Sequence, residues 1–353
     1  MREALIRYAL FLAETVTLLA AVLVAFGIVV ALVGRQARAG RQRPVVELKN
    51  LNRRYDELSH AMRDQLLPAP HAKAARKADR RREKAETKQQ RREAKQHPAD
   101  GAPSASARPR LFVVDFHGDL RASQVAALRE EVTAVLITAT EADEVLLRLE
   151  NPGGTVHEQG LAASQLQRLR DRGIRLTVAV DTVAASGGYM MACVAHRIVA
   201  APFAVIGSIG VIDQLPNFHR LLDRAGIDYE LFKGGESKRT VTMFTATTDE
   251  DRAKRSEQVV AVHELFKQFV AAHRPGLDLT RVATGEYWYG TRALELGLVD
   301  ELMTSDDYLL AARERADLFQ LRFRVARSLL QRLSGGLAGL RDTLLRSTLH
   351  PLP

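Results

Sequence analysis

The sequence predicts an α/β fold. Short β-rich runs recur through the middle of the 353-residue chain, helical segments separate them, and glycine-rich turns follow two of the runs. Such alternation calls for parallel strands joined by right-handed crossovers. The strand runs are LFVVDF (Leu111–Phe116), EVLLRL (Glu144–Leu149), RLTVAV (Arg175–Val180) and RIVAA (Arg197–Ala201). Helices are predicted over Ser123–Ala139, Thr155–Arg172 and Gly187–Ala195, with Gly173 closing the second. VIGSIGV reads as a strand running into loop glycines, and a long helix is predicted from about Thr248 to His273. YELFK (Tyr229–Lys233) reads as a further strand, and FQLRFRV alternates Phe319, Leu321, Phe323 and Val325 with polar neighbours, a period of two.

The N-terminal part is of another kind. Thr15 to Val33 is uncharged and mostly apolar, nearly long enough to cross a hydrocarbon core of ~30 Å. No small-x-small cleavage site closes it, so a retained anchor is expected rather than a removed signal peptide. Arg35, Arg38, Arg41, Arg43, Lys49, Arg53 and Arg54 follow it, a bias that favours a cytoplasmic location for what comes after. A long translocated domain overrides that rule, so the side stays open. The apolar stretch over 182–212 is no second span. His196 and Arg197 divide it, and five glycines and prolines interrupt it, so buried strands and a core helix are predicted there.

Between anchor and α/β region, Leu48, Leu51, Tyr55, Leu58, Met62 and Leu66 fall at helical spacing, which predicts a stalk helix over 45–67. Pro68 and Pro70 end it. Residues 71–95 carry a local excess of +7, leaving about +2 of the net +9 for the rest of the chain. The basic balance is therefore a solvated charged segment, and no specific nucleic-acid partner is expected. HPADGAPSASARP (His97–Pro109) is a flexible linker by composition. The tail from Arg327 to His350 sets Leu and Arg at helical spacing, with Asp342 its one acid, and is expected to form an oligomer contact. A lone cysteine, Cys193, excludes an intrachain disulfide framework and multi-cysteine zinc sites. No cofactor or metal is expected.

The chemistry concentrates at two glycine turns. LRLENPGG ends at Gly153 and Gly154, and VAASGG carries Ser186 and Gly187. Glycines let backbone N–H groups approach a substrate closely, and acyl transfer needs two such donors where an oxyanion forms. Gly187 and the Gly153–Gly154 turn are the candidate donors, and Ser186 is the candidate nucleophile. AASGG lacks the first glycine of the G-x-S-x-G elbow, so an α/β-hydrolase is not indicated. Lys238, in FKGGESKRT, is the candidate base. A lysine serves in that way only where a dry setting lets it lose its proton. Lys233 is its rival, and His157, His196, His219 and His263 are weaker ones. Ser208, in VIGSIGV, can hydrogen-bond and orient the lysine amine.

LENPGGTV, VAASGGYMMA, APFAVIGSIGV, FKGGESKR and GTRALELGLVDEL, taken in order, resemble the signal peptide peptidase A family of membrane serine–lysine peptidases, in its SohB-like branch. The likeness runs from about Leu111 to Leu310. It implies a crotonase-like spiral of β-β-α units, as in Clp-type peptidases. It implies Ser186 as nucleophile, Lys238 as general base and Ser208 as the serine that holds the lysine. It also implies homo-oligomeric rings, with the lysine supplied by either the same subunit or its neighbour, and membrane-derived peptides as substrates. The expected organisation is an anchor over 1–34, stalk and linker over 35–109, a peptidase domain over 110–318, and a C-terminal strand and amphipathic helix over 319–353. The expected setting is a bacterial inner membrane. A crotonase-type acyl-CoA enzyme and a non-catalytic membrane scaffold are the alternatives.

Overall fold

The structure, a computed structural model, describes residues 45–68 and 108–324 except 236, 237, 239 and 240, together with isolated positions at 16, 17, 19, 81, 84, 85 and 88. The expected anchor lies almost wholly outside the described residues, as do the charged segment, the linker and the tail beyond 324. Among the described residues no helix is long and apolar enough to cross a membrane. Two compact units divide the chain, one over Val46–Arg322 and one over Met1–Val45 with Phe323–Pro353. The first carries nearly everything described.

Seven strands form the main sheet. They are β1 (Val45–Asn50), β2 (Arg110–His117), β3 (Glu144–Glu150), β4 (Arg175–Val180), β6 (Arg197–Ala200), β9 (Glu301–Leu302) and β10 (Asp317–Arg324), in the order β1-β10-β2-β3-β4-β6-β9. Every pairing from β10 to β9 is parallel. The strands read as near-continuous apolar runs because both faces are covered. Phe112, Val114 and Phe116 of β2 enter one core with α2 (Val125–Thr138), α3 (Val156–Asp171) and α4 (Gly187–Ala192). Leu111 and Val113 face the other way, into a core with Leu51 of α1 (Leu51–Leu66) and with Tyr308, Leu309 and Ala312 of α9 (Ser305–Ala312). Each such side chain contributes about 1.5–3 kcal/mol on burial.

A smaller sheet stacks beside the first: β5 (Val183–Ala185), β7 (Val205–Gly207) and β8 (Tyr287–Tyr289). β5 and β7 are parallel, Ala184 opposite Ile206, and an isolated parallel bridge sets Asn151 opposite Ala184. Three successive passes through the main sheet, β3, β4 and β6, thus each lead into this small sheet. The turns after Asn151, β5 and β7 therefore leave neighbouring parallel segments at the same edge.

The structure differs from the sequence expectation at three places. Val45–Asn50 is a strand, and only Leu51–Leu66 is helical. The apolar spacing there is satisfied by pairing beside β10 and by docking Leu51, so the stalk residues nearest the sheet are part of it. Residues 319–324 are strand as expected, but β10 sits inside the sheet between β1 and β2. Tyr229–Lys233 forms no strand. Leu231 is half-buried and Tyr229 packs against the Phe244 ring, but Phe232 remains 90% exposed. The long helix is α6 (Asp249–His273), opened by a Thr248–Asp251 capping box, and only Phe266 and Val270 of it are buried. Between β7 and α6 lies a largely irregular segment holding the short α5 (His219–Arg224); α7 (Leu279–Val282) and α8 (Gly290–Glu295) follow α6.

Asp143 fastens the entrance of β2 to the turn before β3. It accepts hydrogen bonds from the Arg110 backbone N–H at 2.8 Å, Arg110 Nη2 at 2.6 Å and the Thr140 N–H at 2.8 Å. Burial acts to raise this carboxyl, but the bonds from Arg110 and Thr140 outweigh it and hold it down to about 2. The folded value lies below the ordinary aspartate value of ~3.9, so the stabilisation is complete above that value and is lost as pH falls through about 2. Asp143→Asn is expected to lower unfolding free energy at pH 7 by about 1–2 kcal/mol, allowing for solvent screening. Denaturant melts of both proteins should converge as pH drops from 4 toward 2; a gap that stays constant would refute the assignment.

Candidate active site

Ser186 stands where β5 gives way to α4. It is half-buried, with φ 52° and ψ −117°, a conformation serine rarely adopts. The backbone is held there by two hydrogen bonds. The Ser186 N–H donates to Gly207 O at 2.7 Å, and the Ser186 carbonyl accepts from the Met190 N–H at 3.0 Å. A side chain locked into such a geometry by its surroundings is a frequent property of reactive residues.

The two glycine turns meet at this serine. A methyl built on Gly153, whose φ is +97°, would lie 2.8 Å from Ser186 Cβ and 3.1 Å from the Gly187 nitrogen. Only glycine fits this contact. The Gly153 N–H donates to Asn151 Oδ1 at 2.9 Å. The N–H groups of Gly154 and Gly187, by contrast, donate to no acceptor among the described residues. Thr155, next in the chain, has a buried hydroxyl without a hydrogen-bond partner among the described residues.

Beneath the turns lie two residues that the sequence reading did not single out. Asn151 and Gln159 are both fully buried. Asn151 Nδ2 donates to Gln159 Oε1 at 2.8 Å, and Gln159 Nε2 donates to Asp119 O at 3.2 Å. The Asn151 backbone also pairs with β5, its N–H donating to Val183 O at 2.8 Å and its carbonyl accepting from the Ala185 N–H at 3.0 Å. The available signal was an amide at the end of β3, directly before a Pro-Gly-Gly turn, with a second amide eight residues on.

Ser208 is brought to the same place. Ala185 pairs with Gly207, so Ser186 and Ser208 leave two parallel strands side by side. Ser208 has φ 51°, and its N–H donates to Glu286 O at 2.7 Å. Lys238 is not brought there within the chain. It is exposed in a turn, its backbone N–H donating to Gly235 O at 3.2 Å, and no contact among the described residues joins its ammonium to either serine. Lys233 is exposed too.

The histidines serve other ends. His196 Nδ1 accepts from the Leu176 N–H at 3.1 Å, and burial, then Arg170, lowers its pKa. His263 Nε2 lies 3.2 Å from Ile209 O, while His157 and His219 are at the surface or partly so. Burial pushes the Cys193 thiol up to about 12, which makes it an inert core residue. Among the described residues no group of three or more His, Cys, Asp or Glu side chains is placed to hold a metal ion.

Comparison with known proteins gives this geometry a setting. Residues 3–166 match the model for the Peptidase family S49 N-terminal region, and residues 168–319 match that for Peptidase family S49. The chain is 43% identical over 344 residues to a probable protease SohB of Haemophilus influenzae, covering 94% of this chain and 92% of that one. A probable protease SohB of Buchnera aphidicola is 51% identical over 238 residues, 67% of this chain and 71% of its own. Among solved structures, a membrane-bound stomatin-specific protease with a substrate peptide superposes over 65% of this chain and 98% of its own, with a TM-score of 0.43 and 14% identity.

The strain at Ser186 is measurable. Glycine adopts its φ without cost, whereas alanine keeps the strain and removes only the hydroxyl. Ser186→Gly is expected to be more stable than Ser186→Ala by about 1 kcal/mol, the reverse of the usual order. Thermal melts of the two variants decide this, and an alanine variant that proves the more stable would show that the backbone relaxes.

Proposed function

The chain belongs to peptidase family S49, and from that membership we propose a membrane-anchored serine endopeptidase whose Ser186–Lys238 dyad is completed between neighbouring subunits of a ring. One observation carries the reading. A strained serine stands against the Gly153–Gly154 turn, and the N–H groups of Gly187 and Gly154 donate to no acceptor among the described residues. In this scheme Ser186 Oγ attacks the scissile carbonyl and the carbonyl oxygen becomes an oxyanion facing both donors. Gly153 contributes by letting the two turns touch. Lys238 takes the Oγ proton and returns it to the leaving amine, with Ser208 orienting the lysine, and water then releases the acyl group.

The exposure of Lys238 supports a base delivered in trans. Among the described residues Lys238 is exposed, and a lysine serves as a base only in a dry setting. The segment that bears it also exposes Ile212, Leu221, Ile227 and Phe232, apolar area of the kind that a subunit contact covers. The fold is proposed to be the crotonase-like spiral, on the strength of the strand pairing that stacks Asn151, Ala184 and Ile206. The anchor is proposed over Thr15–Val33, on the uncharged sequence there. Substrates are peptides with apolar or small residues at the cut, and no cofactor takes part.

Cleavage of a fluorogenic apolar peptide by the full chain in detergent tests the dyad. Ser186→Ala and Lys238→Ala should each lose roughly 10³-fold or more in kcat while melting cooperatively. Undiminished cleavage by Lys238→Ala would move the base to Lys233. Mixing the two inactive proteins should recover roughly a quarter of the wild-type rate, the random share of intact sites in a cyclic assembly. If the mixture stays inactive after subunit exchange, the dyad is built within one chain.

A further inference from the structure

The fully buried side chain of Gln159 packs against both glycines that carry the candidate oxyanion donors. A methyl built on Gly187 would lie 2.4 Å from Gln159 Cγ, and one built on Gly154 would lie 2.8 Å from Gln159 Nε2. The side chain therefore fills the space between the Cα atoms of the two glycines whose N–H groups are unused. Its own polar ends are fixed. Oε1 accepts from Asn151 Nδ2, and Nε2 donates to Asp119 O. Asn151 Oδ1 in turn receives the Gly153 N–H, and the Thr155 N–H donates to Leu120 O, so the Gly153–Gly154 turn is tied on both sides. The chain of bonds runs from the Asp119–Leu120 loop through Gln159 and Asn151 to the turn. A buried amide usually needs only satisfied bonds; here those bonds also anchor the turn that carries Gly154.

We propose that Gln159, acting through Asn151, is a positioning residue that aims the Gly154 and Gly187 N–H groups at one oxygen, so that its bonds serve the transition state and not the bound substrate. The inference rests on the serine–lysine reading above. An oxyanion site gains most from donors fixed before reaction, and a displacement of about 1 Å costs roughly 10²-fold. Gln159→Met keeps the volume and removes both polar ends. Gln159→Glu keeps the acceptor for Asn151 and loses the donor to Asp119.

The experiment uses the full chain, a cleavable peptide and a peptide aldehyde of the same sequence. The aldehyde adds reversibly to a serine hydroxyl: the Oγ–H bond breaks with its proton passing to Lys238, an Oγ–C bond forms, the carbonyl pair moves to oxygen, and that oxygen occupies the oxyanion site. Gln159→Met should lose roughly 10- to 100-fold in kcat with KM within about threefold of wild type, and aldehyde affinity should fall in parallel with kcat. Gln159→Glu should lie between Gln159→Met and wild type. Wild-type kcat and aldehyde affinity in a folded Gln159→Met overturn the proposal, as does a loss confined to KM. If Gln159→Met shows no cooperative melt, Gln159→Glu decides, and a kcat within twofold of wild type overturns the proposal. Loss of cooperative unfolding in both variants overturns it too, since the amide would then be a requirement of the fold. A Ser186→Ala chain that still cleaves and still binds aldehyde sinks the underlying reading instead, with wild-type behaviour unaltered.

Discussion

The site depends on how closely three backbone segments approach one another at Asn151. Its N–H and carbonyl bond to β5, its side chain bonds to Gly153 and Gln159, and no part of it reaches solvent. Neighbours must be bare for this to fit. A methyl on Gly118 or on Gly188 would come within 2.1 Å of an Asn151 oxygen, the side-chain Oδ1 in the first case and the backbone carbonyl in the second. Those contacts leave no space for any side chain, so the positions require glycine for packing reasons. A buried amide with all its polar groups satisfied is also rigid, because any movement would strand at least one of them.

Strain gathers around the same joint. The described non-glycine residues at positive φ are Ala122, Ser186 and Ser208. Ala122 closes the Asp119–Leu120 loop that backs Gly154, and the two serines follow β5 and β7. Each such residue costs on the order of 1–3 kcal/mol, so the rest of the fold must over-determine them. It does so through the parallel pairing of β5 with β7 and through the Ser186 and Ser208 N–H groups, each held by a carbonyl at 2.7 Å. The two buried cores supply the stability against which that strain is set.

Much of this was legible in the sequence, for reasons tied to particular residues. β2, β3, β4 and β6 were visible because strands covered on both faces become continuous apolar runs, and the glycine turns were visible because their residue type is constrained by geometry. Ser186 and Ser208 were found together because each ends a run beside glycines. The short strands β5 and β8 were not, since three residues carry no period. Val45–Asn50 was read as helix because its apolar spacing continued smoothly into α1, and only pairing with a strand nearly 270 residues away decides otherwise. Asn151 and Gln159 escaped notice because an amide shows no role until its partners are known. The Tyr229–Lys233 run looked like a strand by composition, yet it pairs with no strand among the described residues.

That last failure bears on how activity and assembly are related. On the proposed reading, Ser186, the two N–H donors and their amide supports all come from a single chain. Lys238 is exposed, and the segment that carries it also exposes Ile212, Leu221 and Phe232. On the proposed reading these two facts have one cause. A lysine becomes a base only when shielded from water, and on that reading the shielding surface would be another subunit. The isolated chain would then hold a poised nucleophile with no base to activate it. Peptide hydrolysis would begin only once subunits close over one another, and an unassembled chain would be harmless to the proteins around it. The irregular segment would be left unpaired in the monomer because its partner lies on the next subunit.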